Sequence, residues 1–74
     1  MNSLEFIIND IGYELFLRSF PSLILREYSI LGEDFITYYI GNIEDNKSAW
    51  KHDDEPPLIV QNYIDRCLKL MVFS

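Results

Sequence analysis

The residues with the most evident capacity for chemistry stand together in one short segment. His52 is followed directly by Asp53, Asp54 and Glu55. An imidazole beside carboxylates can bind a metal ion or transfer a proton. Such sites normally need several ligands or partners spaced along the chain, and this chain has only one histidine. We therefore interpret the three acids as negative charge at the start of a following helix, and we expect neither a metal site nor a cofactor.

Cys67, the only cysteine, is the second candidate for chemistry. It lies in an apolar stretch, with Ile64 and Met71 at helical spacing on either side. A thiol buried among apolar side chains is poorly reactive, so we interpret Cys67 as a core residue. The sequence also lacks a glycine-rich phosphate loop and a plausible Ser-His-Asp set. We therefore expect a protein that is not an enzyme.

Acidic residues are concentrated in the middle of the chain. Seven lie between positions 33 and 55: Glu33, Asp34, Glu44, Asp45, Asp53, Asp54 and Glu55. Only Lys47 and Lys51 oppose them. Seven minus two leaves five excess negative charges in this region, and the net charge of the whole chain is -6. Such a surface repels nucleic acid and attracts basic protein surfaces. Two interpretations follow: a charged surface that keeps an apolar protein in solution, or a recognition surface whose carboxylates mimic a row of phosphates.

Three aromatic residues are candidates for contact with a partner. Trp50 is the only tryptophan and stands in a polar segment, where it either folds back onto the core or anchors an interface. Tyr38 and Tyr39 stand in a predicted strand, and tyrosine tolerates being half exposed. With the acidic residues, these three complete the predicted partner-binding set.

The elements that must position these residues begin with a predicted helix over residues 3 to 18. Five apolar residues recur there at helical spacing: Leu4, Ile7, Ile8, Ile11 and Leu15. A second stripe of Phe6, Tyr13 and Leu17 would pack under a loop or face a partner. A competing interpretation ends the helix near Gly12 and makes Tyr13 to Phe20 a strand.

The rest of the chain predicts two strands and a helix. Residues 23 to 31 and 35 to 43 are rich in β-branched and aromatic types, and the turn signal at 32 to 34 between them favours a β-hairpin. Ile36, Tyr38 and Ile40 would share one face of the second strand, and Phe35, Tyr39 and Ile43 would share the other. Both faces are apolar enough to be covered, and one helix layer would cover one of them. Residues 44 to 55 read as a polar loop. Residues 56 to 73, opened by two prolines, predict an amphipathic helix with a wide apolar face.

Together these elements predict one compact α+β domain over residues 1 to 74, in the order helix, hairpin, helix. The alternative has a short first helix and a three-stranded antiparallel sheet before the C-terminal helix. The chain is 49% hydrophobic and 15% aromatic, which leaves apolar side chains over after a small core is filled. Apolar surface of this kind usually marks an interface.

The expected compartment is the cytosol. The N-terminal stretch has no basic region, and Glu5, Asn9 and Asp10 interrupt it, so it does not resemble a signal peptide. The longest apolar runs are far short of the roughly 20 residues that span a bilayer. We expect no membrane contact and no direct binding of nucleic acid.

The function that these features favour is binding and inhibition of another protein. A partner with a basic surface fits the acidic residues, and a nucleic-acid-processing enzyme is the most specific version. Immunity proteins, antitoxins and phage-encoded inhibitors work in this way. The alternative is a small homo-oligomer, such as a homodimer, or an accessory structural subunit whose apolar helix face is completed by a copy of itself.

Overall fold

The computed structural model describes residues 3–32 and 35–72. Within these ranges the chain forms a five-stranded antiparallel sheet and a C-terminal helix. The strands are β1 Ser3–Ile8, β2 Ile11–Ser19, β3 Ser22–Ser29, β4 Ile36–Glu44 and β5 Lys47–Trp50, and the helix is α1 Leu58–Val72. The strands lie side by side in chain order, so the sheet is a simple meander with α1 packed on one face.

The predicted N-terminal helix is wrong, because residues 3 to 18 form β1 and most of β2. Asn9 and Asp10 connect the two strands, with φ values of 52° and 63°. Two successive residues with positive φ make the tight turn whose twist matches a β-hairpin, and Asn and Asp tolerate that conformation. The interpretation of Tyr13 to Phe20 as a strand agrees with β2 up to Ser19.

The predicted polar loop over residues 44 to 55 is also partly wrong. Asp45 and Asn46, with φ values of 51° and 63°, form a second turn of the same kind. β4 therefore continues to Glu44, and the chain returns as β5. Both predicted architectures, helix–hairpin–helix and the version with a three-stranded sheet, are corrected to five strands followed by one helix.

Three predicted elements agree with the structure. The strands expected at 23 to 31 and 35 to 43 correspond to β3 and β4, which pair antiparallel. The helix expected at 56 to 73 corresponds to α1, which begins one residue after Pro57. None of the described helices is both long enough and apolar enough to cross a membrane.

The core lies between α1 and the sheet face that it covers, called here the covered face. Its buried residues are Phe6, Tyr13, Leu15, Leu23, Leu25, Val60, Ile64 and Leu68. The Phe6 ring lies 5.3 Å from Tyr13 and 4.5 Å from Tyr63, measured between ring centroids. Phe6 and Tyr13 were predicted as a second helical stripe, but as strand residues they point into this core.

Candidate protein-binding face

The opposite side of the sheet is not covered by α1 and is called here the open face. Successive side chains on a strand alternate between faces, so the neighbours of the core residues point to this side. Its large apolar and aromatic residues are Ile7, Phe16, Ile24, Tyr28, Ile36, Tyr38 and Ile40. Four of these are well exposed: Ile7 at 63%, Ile36 at 48%, Tyr38 at 54% and Ile40 at 58%.

Cross-strand pairing assembles this apolar surface from distant parts of the sequence. Ile24 on β3 lies opposite Ile40 on β4, and Tyr28 lies opposite Ile36. Such pairs hold neighbouring side chains at contact distance and stabilise the sheet. The surface therefore depends on the strand register, because a slip of one residue would move these side chains to the other face.

A charged pair lies within the open face. Arg26 Nη1 is 3.9 Å from Glu14 Oε1, and Ser3 Oγ donates to Glu14 Oε2 at 3.2 Å. The guanidinium carbon of Arg26 also lies 5.6 Å from the centroid of the Tyr28 ring, a cation–π arrangement. These contacts hold a charged pair in a fixed position within the apolar face.

The open face carries no net charge. Its acidic residues are Glu5, Glu14 and Glu44, and its basic residues are Arg18, Arg26 and Lys47. Three minus three is zero, so the net charge of -6 belongs to the rest of the chain. Glu44 and Lys47 belong both to the open face and to the segment 44–55 and offset each other, so the excess negative charge of that segment lies beside the open face and not on it.

Shallow depressions interrupt the open face. One of about 430 Å³ lies where β2, β3 and β4 meet, between Arg18, Ile24, Ile40 and Asn42. Another of about 320 Å³ lies near Glu5, Ile7 and Tyr28. Both are open to solvent rather than enclosed.

The predicted acidic residues fall into separate groups. Glu44 and Asp45 lie at the β4–β5 turn, and residues 53–55 lie in the connection from β5 to α1. Because Trp50 lies opposite Gly41, the connection leaves the sheet roughly 10 Å along β4 from Glu44. Glu44 itself lies opposite Lys47.

The segment at residues 52–55 is mostly exposed. Asp53 and Glu55 are exposed, and Asp54 is partly buried. His52 Nε2 is 3.4 Å from Asp53 Oδ2, and both side chains are exposed. The remaining predicted acids, Glu33 and Asp34, lie outside the described residues.

Of the three predicted aromatic contacts, only Tyr38 lies on the open face. Trp50 packs against the core, its Nε1 donates to Ser48 Oγ at 3.1 Å, and its ring meets Tyr39 edge-on at 6.5 Å. The Tyr39 hydroxyl donates to Glu27 Oε2 at 3.3 Å. Tyr39 and Trp50 are therefore directed to the covered face.

Glu27, which sequence reasoning missed, joins two tyrosines on the covered face. Its carboxylate accepts a hydrogen bond from Tyr39, and Glu27 lies opposite Tyr13 in the strand register. Burial, aided by Glu27, raises the pKa of Tyr39 from 10.0 to about 12 and raises the pKa of Tyr13 further. Both phenols therefore stay protonated to a more alkaline pH than an exposed tyrosine would. The alternation of Leu23, Leu25 and Glu27 was the signal that could have placed this carboxylate on the covered side.

The residues considered for metal or nucleophilic chemistry do not converge. Among the described residues, no group of three or more His, Cys, Asp or Glu side chains could hold a metal ion. Cys67 is a free, partly buried cysteine. It lies close to Tyr63, whose pKa is raised by burial and by the neighbouring thiol.

Comparison with known proteins finds none that is similar to this chain. No family model, no curated protein and no solved structure matches the chain. The function proposed below therefore rests on the open face and on the acidic segments beside it.

Proposed function

We propose that the protein acts by binding another protein through its open face, rather than by catalysis. The observation that carries this proposal is the exposure of Ile7, Ile36, Tyr38 and Ile40 on one side of a single sheet. Contiguous exposed apolar surface of this kind marks interaction sites. Tyrosine and arginine, both enriched at interface hot spots, also lie on it as Tyr38 and Arg26.

The size of the open face fits a protein partner. The strands contain four to nine residues. At about 3.4 Å per residue and about 4.8 Å between strands, five strands present roughly 600 Å² in projection. Side-chain relief and adjoining loops bring this near the roughly 800 Å² that a standard interface takes from each partner.

The occupant that we propose is a protein whose apolar contact patch is bordered by basic residues. The open face is neutral, so the attraction at a distance comes from the segment 44–55. This segment carries Glu44, Asp45, Asp53, Asp54 and Glu55 against Lys47 and Lys51, so five minus two leaves three excess negative charges. Acidic residues beside an apolar patch favour encounter with a basic target and disfavour acidic ones.

A more specific proposal is inhibition of a nucleic-acid-processing enzyme. The substrate site of such an enzyme is basic, and carboxylates on the segment 44–55 would occupy positions that phosphates take. The protein would then belong to the immunity-protein, antitoxin or phage-encoded inhibitor type. The electrostatic contribution predicts that association slows as salt rises, because the screening length falls from about 10 Å at 0.1 M to about 3 Å at 1 M.

The test compares two substitutions at similarly exposed isoleucines. Ile40 on the open face is 58% exposed, and Ile59 on α1 is 54% exposed. Immobilised wild type, Ile40→Asp and Ile59→Asp would each be incubated with nuclease-treated native lysate, and bound proteins quantified by mass spectrometry. We expect one stoichiometric partner that Ile40→Asp loses by about tenfold or more and Ile59→Asp retains.

The electrostatic part has its own control. Reversal of Asp53, Asp54 and Glu55 to lysine should slow association with that partner and leave the dissociation rate nearly unchanged. Equal retention of the partner by Ile40→Asp and Ile59→Asp would contradict the open face as the binding surface. An association rate indifferent to salt and to the charge reversal would contradict only the phosphate-mimic proposal.

A further inference from the structure

The two edges of the sheet are treated very differently. β5, at one edge, has four residues, and Asp65 of α1 accepts hydrogen bonds from Ser48 N at 2.8 Å and from Ser48 Oγ at 2.6 Å. Shortness and cover of this kind are the usual means of blocking an edge. β1, at the other edge, has six residues, and no described element pairs with its outer side.

Turn geometry shows which backbone groups of β1 point outward. The two-residue turn at Asn9 and Asp10 makes Ile8 and Ile11 a hydrogen-bonded pair, and such pairs alternate along an antiparallel ladder. The N–H and C=O groups of Ser3, Glu5 and Ile7 therefore face the outer side. The same reasoning at the Asp45–Asn46 turn assigns Ser48 N–H to the outer side of β5, where it does meet Asp65.

We propose that the outer edge of β1 pairs with β1 of a second copy of this chain, in antiparallel orientation. In the register centred on Phe6, Leu4 lies opposite Ile8 of the second copy, and Glu5 lies opposite Ile7 of the second copy. Apolar residues then meet on the covered side, and Glu5 and Ile7 exchange the backbone hydrogen bonds. The register centred on Glu5 would place two carboxylates directly opposite each other, which is unfavourable.

Charge distribution also fits a second copy. β1 carries one charged side chain, Glu5. β5, which leads into the acidic connection, lies four strand spacings away, roughly 19 Å. In the paired sheet the β5 strands of the two copies are nine strand spacings apart, roughly 43 Å. This is about five times the screening length of about 8 Å at physiological salt, so repulsion between the acidic segments of two copies is weak.

Pairing at this edge has a structural consequence for binding. A two-fold axis perpendicular to the sheet places both open faces on the same side of a continuous ten-stranded sheet. The dimer would then present two neighbouring binding faces. Pairing of six-residue edges buries less than the roughly 1,000 Å² of a typical stable interface, so we expect a dissociation constant in the micromolar range.

The first test is the mass of the full chain by analytical ultracentrifugation from low micromolar to high micromolar concentration. The N–H group of Ile7 points outward, so Ile7→Pro removes it without removing a hydrogen bond to β2. Proline is tolerated on an edge strand in this position. We expect it to weaken the dimer by about tenfold or more. The matched control Ile7→Ala keeps the N–H group and should dimerise within a few-fold of wild type.

A second measurement uses the wild-type chain and does not depend on whether a variant folds. Amide hydrogen exchange at Glu5 and Ile7 should slow as the protein concentration rises, because pairing protects these groups. A wild type that stays monomeric, exchange at these amides that is independent of concentration, or a dimer that Ile40→Asp disrupts and Ile7→Pro does not, would each overturn the proposal. The proposed function is tested at Ile40 with a foreign partner, so the two can fail separately.

Discussion

The covered and open faces of the sheet are built from similar side chains, yet only one of them is completed by the chain itself. On β3, Leu23 and Leu25 on the covered face are fully buried, and Ile24 between them remains partly exposed. On β4, Ile40 on the open face is 58% exposed. The difference lies in α1, which supplies Val60, Ile64 and Leu68 to one face only. Apolar residues on the open face are therefore in excess of what the described core uses.

The largest expected effect separates the two faces by stability. Leu25→Ala removes a fully buried side chain and should lower the free energy of unfolding by about 2–5 kcal/mol. Ile40→Ala on the open face should lower it by less than about 1 kcal/mol, because the side chain is already largely solvated. Urea denaturation followed by circular dichroism would measure both, and similar losses would show that the open face is also part of the core.

A smaller effect distinguishes the faces by their glycines. A Cβ at Gly41 would lie 2.5 Å from the Ala49 carbonyl oxygen and 2.8 Å from the Trp50 ring, so Gly41→Ala should cost about 1–3 kcal/mol. A Cβ at Gly12 would lie 2.5 Å from the Tyr28 ring and 3.1 Å from Ile30 Cγ2, which are side-chain atoms, whereas the closest atom at Gly41 belongs to the backbone. Gly12→Ala should therefore cost less than Gly41→Ala in the same denaturation experiment. The reverse order would contradict the assignment of Tyr28 to an uncovered surface.

The smallest expected effect is a pH dependence that arises on the covered face. Tyr39 has its pKa raised from 10.0 to about 12 by burial and by Glu27. Below pH 10 the phenol is protonated in both folded and unfolded chains. Above pH 10 the unfolded chain loses this proton first, so stability should fall as pH rises from 10 towards 12. The buried Tyr13, whose pKa is also raised, should extend the decline.

Two tyrosine-to-phenylalanine variants test whether the alkaline decline in stability comes from the tyrosines on the covered face. Tyr39→Phe should make the alkaline decline in unfolding free energy shallower, because one of the three tyrosines with a raised pKa is gone. Tyr38→Phe, the neighbour on the open face, should keep the decline of the wild type. An equal change in both variants would mean that the alkaline decline does not come from the tyrosines beside Glu27.

The sequence predicted those elements whose signals are local. β3 and β4 are rich in β-branched and aromatic residues, and a glycine lies in the turn between them. α1 begins after two prolines, and its apolar residues recur at helical spacing. The face shared by Ile36, Tyr38 and Ile40 follows from alternation alone. Which face would be exposed did not follow, because both faces of this strand carry apolar residues and Tyr38 and Tyr39 lie on opposite faces.

The N-terminal strands were missed because both of their faces carry apolar residues. When Ile7 on the open face and Phe6 and Ile8 on the covered face are all apolar, the two-residue period disappears and helical spacings arise by chance. The stronger signal was the pair of short polar turns, Asn9–Asp10 and Asp45–Asn46. Asn and Asp favour the left-handed conformation that such turns require.

The rest of the candidate site depends on pairing between distant segments. The contact between Glu14 and Arg26 and the row formed by Ile24 and Ile40 exist only in the observed register. Trp50 points towards the core because it lies on β5, and the sequence predicted this strand as part of a polar loop. Local composition carries no information about these partners.

The most direct test of the open face as a binding surface is site-specific photo-crosslinking. Tyr38 on the open face and Ile59 on α1 are equally exposed at 54%, so they form a matched pair. Each position would be replaced in turn by benzoyl-phenylalanine and irradiated in native lysate. We predict that the probe at Tyr38 yields one major crosslinked protein, that the probe at Ile59 yields little of it, and that adding Ile40→Asp abolishes the product. Equal crosslinking from both positions, or a product that survives Ile40→Asp, would contradict the account.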